Sequence, residues 1–263
     1  MRSLRGYTKL LLSRLAYIFF RPSFEKSVFV IAHMRCGSSA LSQVMSSHEG
    51  IAGLGETHIA YDSHAKLGLL YLSLLKNRIR VSPSDLLLDK VLHNRYDEAL
   101  PDQFFDSRAI FLIREPVATI HSITNLFGKI GSSEYATHKQ SAEYYIERVR
   151  RMMKLWAEFP ESRRLFIPHE RLMSHTDECL ADISSLLELS QPLQNKYSSA
   201  VKIRRGSGDP LVSTSLSKIT TVKPTKRPDL IIESELIAKA HEVYLEALSL
   251  FGYHQSTLQG TRR

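Results

Sequence analysis

The sequence predicts an α/β fold, a single domain in which helices flank a central parallel sheet. Short apolar runs alternate along the chain with longer segments of helical periodicity, an order that is typical of parallel strands joined by crossover helices. The run at residues 27–32 is apolar and β-branched, as expected for a strand that is buried on both faces. The chain has 263 residues, of which 43% are hydrophobic and 24% are charged, so it can bury a full core. We find no internal repeat and no change of composition that would require a second domain.

The first element is a basic amphipathic segment over residues 1–22, which Arg21-Pro22 ends. Its apolar face consists of Leu4, Tyr7, Leu11, Leu15, Ile18 and Phe19, and its cations Arg2, Arg5, Lys9 and Arg14 fall largely elsewhere. This pattern suits a helix that lies flat on an anionic membrane. It also suits a first helix packed on its own domain, which we slightly prefer. No stretch reaches the roughly 18 consecutive apolar residues that span a bilayer. A signal peptide is not expected, because Arg14 interrupts the apolar part and no small-residue cleavage site follows.

Residues 27–48 predict a strand, a tight loop and a helix. The strand covers residues 27–32, and helical spacing returns at Leu41, Val44 and Met45. Between them lies a loop of small and hydroxylated residues with one cation, Arg35-Cys36-Gly37-Ser38-Ser39. Gly37 allows a tight turn, after which the amides of Ser38, Ser39 and Ala40 can bind an anion at the positive end of the helix. The guanidinium of Arg35 adds donors that suit phosphate or sulfate oxygens.

A simpler interpretation of this loop remains open, namely an ordinary β–α turn with a capping serine. The other obvious candidate, a nucleotide-binding P-loop, fails. The P-loop pattern GxxxxGK[ST] does not match, because no lysine precedes Ser38 and no glycine lies five residues before Gly37.

The remaining elements follow in alternation. Strands are predicted at residues 85–91, 108–113 and 165–168, and helices over residues 64–79, 140–159, 176–189 and 233–251, with a further helix from Pro116. The buried face of the helix over residues 64–79 is predicted as Leu67, Leu70, Leu74 and Leu75. The stripe Tyr144, Tyr145, Val149, Met152, Trp156 and Phe159 is interpreted as core. Thr176 is predicted to cap its helix and Gly252 to end the last one. Residues 204–227 are polar and loop-like.

Four chemically distinctive side chains fall just after predicted strands, or at a strand end. They are Arg35, Glu56, Lys90 and Arg114, and Ser122 follows Arg114 by eight residues. Because ligands of parallel α/β sheets bind at the carboxyl ends of the strands, we expect these side chains to share one site.

The net charge of +8 and the pI near 9.4 favour anionic ligands, but the chain has no nucleic-acid recognition motif. Its two cysteines, Cys36 and Cys179, cannot form a disulfide framework or a zinc site. They fit a reducing compartment, so we predict a cytoplasmic protein, either free or membrane-associated.

The combination of motifs resembles the sulfotransferases that use 3′-phosphoadenosine 5′-phosphosulfate (PAPS). The resemblance rests on a strand followed by R-x-G-S-S, on Gly55-Glu56 20 to 21 residues after Arg35, and on a strand that ends in R-x-P with a serine eight residues after the arginine. It covers residues 27–125 and is looser over residues 165–172. Gly208-Asp209 resembles a late loop that covers the donor in bacterial members. The resemblance implies a sulfotransferase domain over residues 23–255, between the segment 1–22 and a tail at 256–263.

The resemblance also implies roles for individual residues. The loop residues Arg35, Cys36, Gly37, Ser38, Ser39 and Ala40 would hold the 5′-phosphosulfate, with the Cys36 thiol doing no chemistry, and Arg114 and Ser122 would hold the 3′-phosphate. The Gly-Glu spacing is most similar to the bacterial and protein-tyrosine branch, so Glu56 would be the catalytic base. Lys90 would steady the transferred group together with Arg35. No metal is expected.

This sequence departs from the family pattern at two positions: Met34 stands where a proline is usual, which would loosen the turn, and Leu126 stands where the tyrosine branch has a basic residue.

Several alternatives stay open at this point. His58 or His93 could replace Glu56 as the base, and Glu170 is expected to order its own turn. The chain could instead be a P-loop-like nucleotide kinase or NTPase, or a non-catalytic protein that binds 3′-phosphoadenosine 5′-phosphate (PAP) or another anion. The acceptor is predicted to be a hydroxyl or amine of a small molecule, glycan or glycolipid, in a pocket shaped by residues 64–80 and 128–140. The oligomeric state is not predicted.

Overall fold

Five parallel strands form the central sheet of the structure, a computed structural model that describes residues 4–197, 217–220 and 230–253. The strands are β1 (Ser27–Ala32), β2 (Ile51–Gly53), β3 (Leu86–Val91), β4 (Arg108–Ile113) and β5 (Arg164–Pro168). Their order across the sheet is β2-β3-β1-β4-β5. The chain therefore winds outward from β1 in both directions, and the crevice where the strand order reverses lies at the carboxyl end of β1, between β3 and β4.

The apolar strand runs of the sequence become the centre of this sheet. All six residues of β1 are buried, because β1 pairs with β3 on one side and β4 on the other and carries helices on both faces. The register places Val30 beside Lys90 and Ala32 beside Leu112. Residues that follow β1 and β4, and residues near the end of β3, consequently meet at one edge of the sheet.

Eight α-helices surround the sheet in the described residues. They are α1 (Leu4–Phe20), α2 (Ser38–Ser46), α3 (Ala65–Lys76), α4 (Pro116–Lys129), α5 (His138–Glu158), α6 (His169–Ser174), α7 (Thr176–Leu186) and α8 (Ser234–Leu250). One core cluster joins the sheet to α3, α5 and α8, and a second joins the opposite face to α2 and α7. The predicted α/β architecture, with its parallel sheet between two helical layers, is confirmed.

Most predicted core positions are buried, and two local predictions are wrong. Leu75 is 41% exposed, because the buried stripe of α3 is narrower than the sequence pattern suggested and ends with Leu74. Thr176 is the first residue of α7 and does not cap it. Its hydroxyl donates a hydrogen bond back to the carbonyl of Leu172, within the separate short helix α6. Gly252 has a φ of 74° just beyond α8 and ends that helix as predicted.

The first helix forms an additional layer outside the sheet and its flanking helices, where it packs on α3. It ends at Phe20, before Arg21 with a φ of 47° and Pro22. The preferred expectation, a helix packed on its own domain, is therefore confirmed, but the packed side differs from the predicted one. Leu11, Leu15, Ile18 and Phe19 of the predicted face are exposed.

No helix in the described part of the chain is long and apolar enough to cross a membrane. The predicted polar loop at 204–227, which includes Gly208 and Asp209, lies outside the described residues apart from residues 217–220.

Candidate active site

The loop between β1 and α2 turns sharply through two residues in the left-handed region. Arg35 has a φ of 65° and Gly37 a φ of 95°. The left-handed conformation is uncommon for arginine and natural for glycine. Gly37 also lies close to α6, since a Cβ built on it would approach Nδ1 of His169 to 3.2 Å. As the N-cap of α2, Gly37 offers no side chain to the amides of the first helical turn.

The two predicted anion-binding points are adjacent. Nε of Arg35 donates a hydrogen bond of 2.8 Å to the hydroxyl of Ser122 on α4. A guanidinium nitrogen of Arg114, directly after β4, donates one of 3.2 Å to the carbonyl oxygen of Arg35. The loop after β1 and the Arg114–Ser122 pair are therefore connected side by side at the crevice.

His33 joins the same two strands and was not predicted from the sequence. Its Nδ1 is 2.8 Å from the carbonyl oxygen of Met34, and its Nε2 accepts a hydrogen bond of 2.9 Å from the amide of Arg114. These bonds require a neutral ring with its proton on Nδ1. Complete burial lowers the pKa of His33 to about 3, which keeps the ring neutral.

Lys90 points into the loop from β3. It is only 2% exposed, and its Nζ donates a hydrogen bond of 2.9 Å to the hydroxyl of Ser39 in the first turn of α2. A surface lysine at a strand end would not be buried in this way. The ammonium group thus faces the same anion-binding turn as Arg35.

Glu56 follows the short strand β2 and is 8% exposed. Its Oε1 lies 3.3 Å from Nδ1 of His58. Burial alone would raise the pKa of Glu56, but the adjacent His58 and the charge of Lys90 outweigh burial and hold the pKa below its usual value. The carboxylate is therefore ionised at neutral pH and has an oxygen that can receive a proton.

Asp89 holds the segment that carries Glu56. The amide of Thr57 donates a hydrogen bond of 3.0 Å to Oδ1 of Asp89, and the hydroxyls of Thr57 and Tyr61 donate to Oδ2. On the other side of Glu56, the carbonyl of Gly55 accepts from the amide of Lys90 at 2.9 Å. Burial raises the pKa of Asp89 to about 6, although these donors act against the shift. Glu56 is consequently fixed between two links to β3.

The departure at Met34 is compensated by a tyrosine of α5. The amide of Met34, which a proline would lack, donates a hydrogen bond of 2.9 Å to the hydroxyl of Tyr144. The same hydroxyl donates one of 2.7 Å to the carbonyl of Leu92. The turn that Met34 was expected to loosen is thus connected to the end of β3 through Tyr144.

A buried arginine of α5 joins the strand ends below the site. Arg148 donates to the carbonyls of Ala32 and Val91, at 2.9 and 2.8 Å, and pairs with Asp97 at 2.6 Å. The sequence could have indicated Arg148, because it is a cation on the helical stripe that was predicted as core. Asp89, an acid within an apolar strand, gave a similar signal, whereas nothing distinguished His33.

The remaining candidate residues are partly or fully buried. Burial lowers the pKa of His93 to about 4, and its ring lies 6.1 Å from that of Tyr135. Cys36 is buried and donates from its Sγ to the carbonyl of His33, and burial raises the pKa of its thiol. Burial also raises the pKa of Glu170. Leu126 belongs to the core, so no basic group stands there. Within the described ranges, no three His, Cys, Asp or Glu side chains are arranged to hold a metal ion.

Comparisons with known proteins identify a family and a shared fold. A family model described as "Sulfotransferase family" matches residues 61–192, about half of the chain, which includes Lys90, Arg114 and Ser122. A search of curated proteins finds no match.

Solved structures with low sequence identity share the fold. The sulfotransferase domain of the Synechococcus PCC 7002 olefin synthase is 19% identical with a TM-score of 0.56, and the match covers 83% of this chain and 94% of that domain. A sulfotransferase from Alicyclobacillus acidocaldarius is 13% identical with a TM-score of 0.50, with coverages of 89% and 98%. A mouse sulfotransferase complexed with PAP is 14% identical with a TM-score of 0.50, and the match covers 90% of each chain.

Proposed function

Because the chain belongs to the sulfotransferase family, we propose that it moves the sulfuryl group of PAPS to a hydroxyl or amine of an acceptor, with Glu56 as the general base. The observation that carries this proposal is the direct connection of the two anion-binding points through Arg35, Ser122 and Arg114. A donor with a phosphate at the 3′ position and a phosphosulfate at the 5′ position needs two such points within one nucleotide. The mouse sulfotransferase that shares the fold is complexed with PAP, which supports the same donor here.

The proposed reaction needs no redox step. The bond between sulfur and the bridging phosphate oxygen breaks, a bond from sulfur to the acceptor oxygen or nitrogen forms, and PAP leaves with the bonding electron pair. Arg35, Lys90 and the amides of Ser38, Ser39 and Ala40 stabilise the charge on the sulfuryl oxygens and on the leaving phosphate. Most of the catalysis then comes from positioning and charge stabilisation.

Glu56 receives the acceptor proton in this proposal. Its buried Oε1 lies 3.3 Å from Nδ1 of His58, and its pKa is held low by His58 and Lys90. The base is therefore ionised throughout the neutral range, and we expect the acid limb of the pH–rate profile to lie below the ordinary glutamate pKa.

The acceptor and the setting of the reaction are further parts of the proposal. The basic net charge favours an acceptor with anionic character, such as a glycan or glycolipid. Two buried free cysteines suit a reducing compartment, and we place the protein in the cytoplasm on that ground. The spacing of Gly55 and Glu56 favours the bacterial and protein-tyrosine branch of the family.

A substitution at Glu56 separates binding from catalysis. With labelled PAPS and an acceptor fraction that takes up label, we expect Glu56→Gln to lower turnover about 10²–10⁴-fold, because a positioned base has been removed. PAP affinity, measured by calorimetry, is expected to stay within about twofold of the parent value. A loss of about 1.4 kcal/mol of binding free energy would instead lower it tenfold. The matched control is Glu49→Gln at an exposed carboxylate. Absence of label transfer by the unmodified chain would favour a non-catalytic PAP-binding protein. Unchanged turnover in Glu56→Gln would contradict the assignment of the base, and loss in His58→Gln alone would transfer the base to His58.

A second substitution tests the donor. Arg114→Ala is expected to weaken the binding of PAP far more than that of adenosine 5′-monophosphate, which lacks the 3′-phosphate. Equal losses for both nucleotides would contradict the assignment of Arg114. Tighter binding of ATP than of PAPS by the unmodified chain would favour a nucleotide kinase or NTPase.

A further inference from the structure

The first helix packs on the domain through its small residues. Ser13 is fully buried and its hydroxyl donates a hydrogen bond to the carbonyl of Ala65, at the start of α3. Ala16 is buried on the same side. Gly68 of α3 allows the two backbones to touch, because a Cβ on Gly68 would overlap the carbonyl oxygen of Ser13. The helix therefore already has a partner on this side.

The other side of α1 carries its large apolar residues, and they face outward. They are Leu11, Leu12, Leu15, Ile18 and Phe19, which we call the α1 ridge, and each is between 54% and 80% exposed. Their spacing places them along one helical stripe. Exposed apolar side chains are ordinary when they are scattered, but a contiguous set indicates an interaction site.

The charge of the segment indicates what covers the ridge. Between Met1 and Phe24 the sequence has five cations, Arg2, Arg5, Lys9, Arg14 and Arg21, and no aspartate or glutamate. The side chains of Arg14 and Arg21 are exposed. A second copy of this chain would bring the same cations against one another in a two-fold contact, which is unfavourable. An anionic lipid surface offers both an apolar phase for the ridge and opposite charge for the cations.

We propose that the α1 ridge binds the surface of an anionic lipid bilayer, with α1 lying parallel to the membrane plane and α3 behind it. The large side chains enter the boundary between the headgroups and the acyl chains, and the cations contact the lipid phosphates. This proposal is independent of the catalytic assignment, because it uses no residue of the site.

The test is co-sedimentation of the full chain with vesicles. The chain is expected to sediment with vesicles of phosphatidylcholine mixed with phosphatidylglycerol, and weakly or not at all with vesicles of phosphatidylcholine alone. Binding is expected to weaken as salt is raised, because the charge contribution is screened. Ile18→Glu/Phe19→Glu should weaken binding by more than about tenfold, since two large apolar groups no longer enter the bilayer.

Leu245→Glu/Leu250→Glu is the matched control, because these α8 side chains are 56% and 50% exposed and lie outside the ridge. It should bind vesicles like the parent chain. Arg14→Glu/Arg21→Glu keeps the ridge and should weaken binding to the mixed vesicles only. Circular dichroism verifies that each variant is folded, and no variant changes a buried residue.

Three results would overturn the proposal. The first is equal binding of the parent chain to both kinds of vesicle, or binding to neither. The second is binding of Ile18→Glu/Phe19→Glu that equals the parent. The third is a parent dimer, measured by light scattering, that becomes a monomer in Ile18→Glu/Phe19→Glu without any vesicle binding, which would assign the ridge to a second copy.

Discussion

Asp89 controls where the carboxylate of Glu56 lies. It accepts hydrogen bonds from the amide and the hydroxyl of Thr57, the residue that follows Glu56. In Asp89→Asn one acceptor oxygen becomes a donor, so the Thr57 contacts cannot all be kept. We expect turnover to fall by up to about 10²-fold, the scale of an ångström-sized misplacement. PAP affinity should change little, because the donor-binding loop is untouched.

The control for Asp89→Asn is Asp85→Asn. Asp85 is also a buried aspartate beside β3, and it accepts from the amide of Ser82 at the opposite end of the strand. Thermal unfolding of both variants shows whether stability alone accounts for a loss. Equal losses of turnover in the two variants would mean that Asp89 has no positioning role.

Tyr144 offers a second prediction at the scale of a residue. Tyr144→Phe leaves the buried amide of Met34 and the carbonyl of Leu92 without their partner. We expect the free energy of unfolding in urea to fall by about 1–3 kcal/mol. Ser185→Ala, which removes an exposed hydroxyl bond within α7, should stay within about 0.5 kcal/mol of the parent value. A loss no larger than that of Ser185→Ala would contradict the role given to Tyr144.

The sequence predicted Arg35, Glu56, Lys90 and Arg114 as neighbours because each lies beside the carboxyl end of a strand, and strand ends of a parallel sheet meet. It could not predict the contacts of His33 or Tyr144. Those contacts join residues that are 81 and 110 positions apart, and no local pattern reports which distant amide a buried side chain reaches.

At the scale of elements, the crossing of α1 and α3 depends on Gly68. In Gly68→Ala the new methyl group would meet the backbone of Ser13 and Tyr17, which cannot move as a side chain can. We expect α1 to pack less closely on α3 and the free energy of unfolding to fall by about 1–3 kcal/mol. Proteolysis before residue 25 should then be faster. Gly128→Ala in α4 is the matched control, because nothing lies within 4 Å of its Cβ, and it should be neutral or slightly stabilising. Similar proteolysis of both variants would contradict the close crossing.

Strands β1, β3, β4 and β5 were predictable because buried strands are rich in apolar residues, and this signal is strong even over six residues. The three-residue strand β2 was not predicted, because it is too short to give such a signal. The orientation of α1 was not predictable from its own pattern. A helix with large apolar residues on one stripe and small residues on another can pack on its domain through either stripe. Gly68, 55 positions away from Ser13, is what allows α1 to pack through the small residues.

At the scale of the whole molecule, buried titratable groups determine how stability depends on pH. Burial lowers the pKa of His33 to about 3 and that of His93 to about 4. The unfolded chain therefore binds more protons than the folded chain as the pH falls below about 6.5, and the fold loses stability. Asp89 acts in the opposite direction, because its folded pKa of about 6 lies above its unfolded value.

The two imidazoles destabilise the fold as the pH falls and the one carboxyl stabilises it, so the imidazoles dominate. We therefore expect the free energy of unfolding to fall by about 2 kcal/mol between pH 7 and pH 5. Urea unfolding at the two pH values measures this difference. In His33→Asn the difference should shrink, because one of the two imidazoles no longer titrates. A parent chain that is more stable at pH 5 than at pH 7 would show that the imidazoles do not dominate.

The shortness of β2 has a consequence for changing which acceptors such a protein uses. Lys90 lies in β3, and Arg35 and Arg114 follow β1 and β4, the other two inner strands. Glu56 follows a three-residue strand at the rim of the sheet. The proposed donor site thus lies at the centre of the sheet, and the carboxylate of Glu56 lies near its rim. Grafting residues 62–80 from another family member should alter which acceptors react while leaving nucleotide affinity intact.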